Sequence, residues 1–105
     1  MDIEKARKRF IPMSETMLYI LPSLLGERHG YAIMQHVKEI TRGRITLGAG
    51  TVYQSLQKLE VGGLISSTIE IERRKMYLIM TLGQQILKEE AQRIKEIYLN
   101  MEELL

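Results

Sequence analysis

A chain of 105 residues, 45% hydrophobic and 27% charged, has the length and composition of one globular domain and is too apolar for a disordered tail. No apolar run approaches the ~20 residues that span a bilayer, and no signal peptide is read behind the basic N-terminal segment, so a soluble, intracellular (cytoplasmic) protein without membrane contact is expected. Cysteine is absent, which removes disulfides, thiolate catalysis and cysteine-based metal sites together, and the net charge is only +2.

That charge is unevenly spread. Residues 1–10 carry four basic and two acidic side chains, residues 36–75 seven basic and four acidic, and residues 84–105 three basic and five acidic. A basic middle and an acidic end suggest one surface for a polyanion and another for something else.

In chain order, Lys5, Arg7, Lys8, Arg9 and Phe10 form either an N-terminal helix or arm, touching phosphate or another subunit's last helix, or a frayed terminus. Ser14 is placed to N-cap a helix with Glu15 in its first turn. Met17, Leu18, Ile20, Leu21, Leu24 and Leu25 give that helix a wide apolar face, Pro22 kinks or shortens it, and Gly26 ends it. A second helix is expected from about Gly30 to Arg42, with Ile33, Val37 and Ile40 as its stripe, Tyr31 and Met34 beside them, and Gly43 as its stop. The third runs from the Gly48–Thr51 region to Val61 and buries Val52, Leu56 and Leu59. Gln54, Gln57, Lys58 and Val61 then face away, with Thr51 and Tyr53 near its start.

Residues 64–71 alternate apolar and polar from Ile65 onward, as a half-buried strand does. Glu72, Arg73 and Arg74 make a polar turn, and Lys75 to Met80 a second strand, so the two form a hairpin. Thr81 and Gln84 have capping-box spacing at the start of the last helix. In that helix Leu87, Ala91, Ile94, Tyr98, Met101 and Leu105 follow steps of four and three, a heptad seam, and Ile86, Ile97 and Leu104 form a second stripe beside it.

Three short helices, a hairpin and a long helix imply a mainly α fold with a small β-hairpin. This is a winged helix-turn-helix over residues 1–81, N-terminal arm included, followed by a long C-terminal dimerisation helix over residues 82–105. In that arrangement the third helix enters a DNA major groove and the basic hairpin tip reaches a neighbouring groove or the phosphates. Thr51, Tyr53, Gln54, Gln57 and Lys58 are therefore candidates for DNA contact, with glutamine suited to adenine and hydroxyls at a helix start suited to phosphate. Arg73, Arg74 and Lys75 are candidates for phosphate contact from the wing. In the alternative both sets are solvated surface, and Tyr53 packs against the first helix near Tyr19.

His29 and His36 lie seven apart without a matching carboxylate–histidine pattern, so no metal site is expected; His29 orders the turn before the second helix and His36 is exposed on it. No phosphate loop follows a strand, no G-x-S-x-G motif occurs, and there is no cysteine nucleophile, so neither an enzyme nor a cofactor is expected. A last helix of about 24 residues, ~36 Å long, projects past a small domain. Its seam of Leu87, Ala91, Ile94, Tyr98, Met101 and Leu105 then needs a second copy of the chain, and a twofold homodimer presents two recognition helices to two half-sites of a palindrome.

Five short segments, in this order, also resemble the PadR family of transcriptional regulators. They are His29-Gly30-Tyr31, Gly50-Thr51-Val52-Tyr53, Leu56-Gln57-Lys58-Leu59-Glu60 with Gly63-Leu64-Ile65, Arg73-Arg74-Lys75-Met76-Tyr77, and Gly83. The resemblance covers about residues 14–90 and is to the shorter members, which end in one C-terminal helix. The chain departs from the family pattern at Gly48-Ala49 (usually Ser-Pro), Gln54 (usually Pro), Met76 (usually aromatic), Leu78 (usually basic) and Met80 (usually Thr), so that Met76, Leu78 and Met80 line one strand face. The resemblance implies a regulator of transcription, a repressor on double-stranded DNA, and release by a small aromatic or drug-like effector between the last helices near Ile94, Tyr98 and Met101. With no Trp and one Phe, a tight apolar seam is the alternative to such a site. A different class also stands open, a winged-helix protein–protein interaction module that recruits through the seam or the Met76/Leu78/Met80 face without sequence-specific DNA binding.

Overall fold

The computed structural model describes residues 2–105. Asp2 starts the first helix: its carboxylate accepts the Lys5 N–H at 2.8 Å, and α1 (Ile3–Phe10) follows. The basic N-terminal segment is thus a capped helix that buries Ala6 and Phe10 within its own chain. α2 (Glu15–Ile20) begins where Ser14 Oγ accepts the Met17 N–H at 3.2 Å. Pro22 shortens it as expected: the helix stops at Ile20 and a single 3-10 turn, Pro22–Leu24, carries the apolar face on, with Ile20, Leu21 and Leu24 fully buried and Leu25 outward.

α3 (Gly30–Ile40) is capped by His29, whose Nδ1 accepts the Ala32 N–H at 3.1 Å. Ile33 and Val37 are buried, but the third residue of the expected stripe, Ile40, is 54% exposed because the helix ends there. Gly43, at φ 79°, turns the chain back and its N–H bonds to the Lys38 carbonyl. α4 (Ala49–Val61) buries Val52, Leu56 and Leu59, as its spacing demands.

β1 (Ile65–Ile71) and β2 (Arg74–Ile79) pair antiparallel, with Ile65 opposite Ile79 and Ile71 opposite Arg74. Thr68 and Ile69 together face Met76 in a bulge. The turn holds only Glu72 and Arg73, both with left-handed backbones at φ 51° and 66°, so Arg74 belongs to β2 and not to the turn. The expected half-buried alternation fails beyond Ser67. Ile65, Tyr77 and Ile79 enter the core, whereas Ile69 and Ile71 are exposed because the outer hairpin projects past everything that could cover them. Met76 and Leu78 are half-buried and Met80 is exposed. A single further residue, Arg28, pairs with Tyr77 through Arg28 N–H to Tyr77 O at 3.2 Å and Tyr77 N–H to Arg28 O at 2.9 Å.

α5 (Thr81–Met101) lacks the expected capping box. Met80 occupies the cap position without a side-chain bond, because its N–H is tied to the Leu64 carbonyl at 2.9 Å and the chain turns into helix at once, making Thr81 the first helical residue. Gly83 lies against the same carbonyl, and Ile86 fills the core.

Two carboxylates of the acidic end are taken up inside the chain. Glu89 receives the Arg7 guanidinium through two bonds of 2.9 Å. Glu90 has no exposed surface; its Oε1 accepts the Met13 N–H at 2.5 Å, and Arg93 donates to both its oxygens. The Arg93 hydrogen bonds, with the Met13 N–H behind them, hold the Glu90 carboxyl below the usual carboxylate range against the opposing effect of burial. A lowered folded value means the stabilisation is present above the unfolded value and is lost as pH falls through the folded one. Glu90→Gln is therefore expected to lower Tm by several degrees at neutral pH, with the gap from wild type closing below about pH 4.5. A gap that stays constant down to strong acid contradicts this.

Beyond Arg93 the last helix runs uncovered. Ile94, Ile97, Tyr98, Leu99 and Met101 keep between 41% and 56% of their surface exposed. No helix among the described residues is long and apolar enough to cross a membrane.

Candidate nucleic-acid interface

The outward face of α4 carries Thr51, Gln54, Gln57 and Lys58, all exposed and spaced by three or four so that they share one side of the helix. Val52, Leu56 and Leu59 hold the opposite side in the core and so fix the rotation of that face. Tyr53 is 51% exposed, and its ring lies over Gly30, where a Cβ would fall 2.6 Å from the tyrosine Cζ. It packs on the start of α3 and not near Tyr19, whose hydroxyl instead meets the Arg44 guanidinium at 3.3 Å.

Arg73, Arg74 and Lys75 are exposed along the turn and the outer end of β2. Ion pairs among the described residues lie elsewhere: Arg7 with Glu4 and Glu89, Arg44 with Glu15, Arg93 with Glu90. Lys58 and the three wing cations thus take part in none of the ion pairs among the described residues, although Glu70 stands opposite Lys75 across the hairpin. The Arg74 guanidinium sits 5.6 Å from the Tyr31 ring centre, and its Nη1 is 3.3 Å from His29 Nε2. Together with Tyr53 on Gly30, these contacts gather the starts of α3 and α4 and the outer part of β2 into one place.

Sequence reasoning gave Tyr31 a place beside the α3 stripe and in the His29-Gly30-Tyr31 segment but no contact with the wing, and it overlooked Arg28 altogether. Each matters through partners more than forty residues away, so spacing along the chain carries no signal of it. His36 is also not the exposed helix residue expected; it is half-buried, with Nδ1 3.4 Å from the Arg28 guanidinium.

On α5, Leu87, Ala91, Ile94 and Tyr98 line an apolar groove of about 440 Å³ with Leu18, Pro22 and Lys95. Ile94 and Tyr98 of the expected effector site thus share one wall. Met101 lies outside the groove, half-exposed at the end of α5, and Leu105 is 98% exposed.

Against this geometry, a model of the Transcriptional regulator PadR-like family matches residues 4–89, from α1 into the middle of α5. Transcriptional regulator YqjI of Escherichia coli (strain K12) is 29% identical over 92 residues, which are 87% of this chain and 44% of the relative. The chain spans less than half the length of the curated relatives it matches. Among solved structures, Bacillus subtilis PadR in complex with operator DNA is 31% identical, with a TM-score of 0.63 over 74% of this chain and 47% of that one. A transcriptional regulator from Clostridium thermocellum has the same fold throughout, with a TM-score of 0.76 covering 100% of this chain and 99% of that one at 21% identity.

Proposed function

The chain belongs to the PadR-like family, one of transcriptional regulators and not of enzymes, and from that premise we propose that it is a repressor that binds a palindromic DNA operator as a homodimer. The observation that carries this reading is the exposed face of α4 beside wing cations that form no ion pair among the described residues. The likeness to Bacillus subtilis PadR, solved with operator DNA, supports it. Residues 1–81 form the DNA-binding part and residues 82–105 pair two copies through Leu87, Ala91, Ile94, Tyr98, Met101 and Leu105. Thr51, Tyr53, Lys58, Arg73, Arg74 and Lys75 hold phosphates, and Gln54 and Gln57 read base edges. A small aromatic or drug-like effector, if one acts, enters the apolar groove at Ile94 and Tyr98. The place of action is the cytoplasm, beside the genome.

The test is a gel shift with DNA from upstream of the protein's own gene, at two salt concentrations and with random competitor. A discrete shift that survives competitor and weakens with salt supports the reading. No shift at low salt favours the protein–protein module acting through the seam or the Met76/Leu78/Met80 face.

Two substitution sets divide the proposed roles. Replacing Arg73 and Arg74 together by Ala is expected to weaken operator and random DNA alike and to reduce the log–log salt slope of the dimer by roughly 3.6, about 0.9 for each of four phosphate contacts. Gln57→Ala is expected to cost ~1–3 kcal/mol of discrimination at one or two base pairs while sparing random DNA. Equal losses on operator and random DNA would remove Gln57 from base reading.

A further inference from the structure

We propose that His29 and Arg74 form a two-donor clamp for one phosphate of the DNA backbone; this rests on the DNA-binding reading and gives it a defined contact. The argument begins with a proton. His29 Nδ1 accepts the Ala32 N–H that caps α3, so a neutral ring carries its single proton on Nε2. Nε2 lies 3.3 Å from Arg74 Nη1, and a guanidinium has donors only. Two N–H groups that face each other cannot bond; an acceptor between them satisfies both, and an anionic oxygen does so best.

No hydrogen bond or ion pair among the described residues supplies that acceptor. No carboxylate among the described residues pairs with Arg74. The donors are also held in place. The Arg74 guanidinium rests over the Tyr31 ring, which lies within 15° of parallel to the His29 ring. Main-chain bonds between Arg28 and Tyr77 fix β2 beside His29, so the arrangement does not depend on the wing turn. The site lies where α3, α4 and the wing converge, which is why a backbone phosphate and not a free anion is assigned to it.

His29→Asn tests the clamp, since asparagine caps helices as well as any residue but does not extend to Arg74. The expected result is an unchanged Tm and roughly tenfold weaker binding to operator and random duplex alike. The salt slope stays the same, because a neutral ring releases no counterion, whereas Arg74→Ala lowers it by about 1.8 for the dimer, about 0.9 per protomer. Long-range proton–nitrogen spectra of the wild-type protein give a second readout that no folding defect can obscure. There, random duplex is expected to shift the His29 Nε2 signal and leave Nδ1 in place, while inorganic phosphate at the same phosphate concentration leaves both unmoved.

His29→Asn protein with wild-type Tm and wild-type affinity overturns the clamp and leaves DNA binding standing. An Nε2 signal unmoved at saturating duplex also overturns it, and an equal shift with inorganic phosphate overturns the assignment to DNA. A wild-type protein that binds no DNA at low salt removes the DNA-binding reading itself, and the clamp with it.

Discussion

With Ile94 and Tyr98 both replaced by Asp, the protein is expected to sediment as a monomer of unchanged helix content, and its affinity for the proposed palindromic operator is expected to fall by about 100-fold or more. The helix content holds because both side chains are already 41–48% exposed and neither belongs to the core. Loss of the proposed dimer is expected because a twofold seam would set each new carboxylate near its own copy in a surface otherwise made of Leu87, Ala91 and Met101. The large effect on DNA comes from linkage of two sites: a dimer places the second recognition helix at high local concentration once the first has docked, and a monomer does not. A duplex with one half-site is the internal control and binds wild type and variant more nearly alike. Sedimentation that still reports a dimer would place the pairing surface elsewhere.

Gly83→Ala is expected to destabilise the fold by at least ~3 kcal/mol, the upper end of what overpacking does. For a domain of this size that is a Tm drop of roughly 10–20 °C. A Cβ at this position would lie 2.2 Å from the Leu64 carbonyl oxygen and 2.8 Å from Ile79 Cγ1. The carbonyl cannot withdraw, because it accepts the Met80 N–H that closes the base of the hairpin. The start of α5 must then lift away from Leu64 and Ile79, uncovering Leu64, Ile65 and Ile86, each of which is almost wholly buried. Thermal unfolding followed by circular dichroism measures the effect, and a drop of only a degree or two would show that the helix start can shift to admit the methyl group.

These two sites differ in how legible they were. The seam residues on α5 announce themselves by steps of four and three, because a helix repeats on a fixed period. The Val52, Leu56 and Leu59 stripe and the Ser14 cap were readable for the same local reason. What failed depended on distant pieces of chain. The Thr81 box was overruled by the Met80–Leu64 bond, and Ile69 and Ile71 satisfy an alternating pattern in a stretch of strand with no core beneath it. Ile40 continues its stripe correctly but stands at the residue where the helix ends. Glu90, which entered the sequence reading only as part of the acidic end, proved to be the buried acceptor of a main-chain N–H 77 residues away.

The candidate site divides in the same way. The residues on α4 and the wing could be chosen from element order and charge alone. Their grouping with His29 and Tyr31 could not, since the Arg28–Tyr77 pairing that brings the wing to α3 is one residue long.

The attachment of α5 has a mechanical consequence. Its first three turns are fastened at Leu64, Met13 and Arg7, while the stretch beyond Arg93 is free of its own domain. A helix of 21 residues, ~31 Å long, is thus a lever with a fixed root and a free arm. When two such arms are crossed in a dimer, the angle at each root sets how far apart the two α4 helices stand, and half-sites one turn of DNA apart require about 34 Å. In the proposed dimer the ruler for operator spacing would be the fastening of α5, physically separate from the face proposed to read bases. Changes at Gly83 or Glu90 mild enough to leave the fold intact would retune the preferred gap between half-sites while leaving the preferred half-site itself as it was.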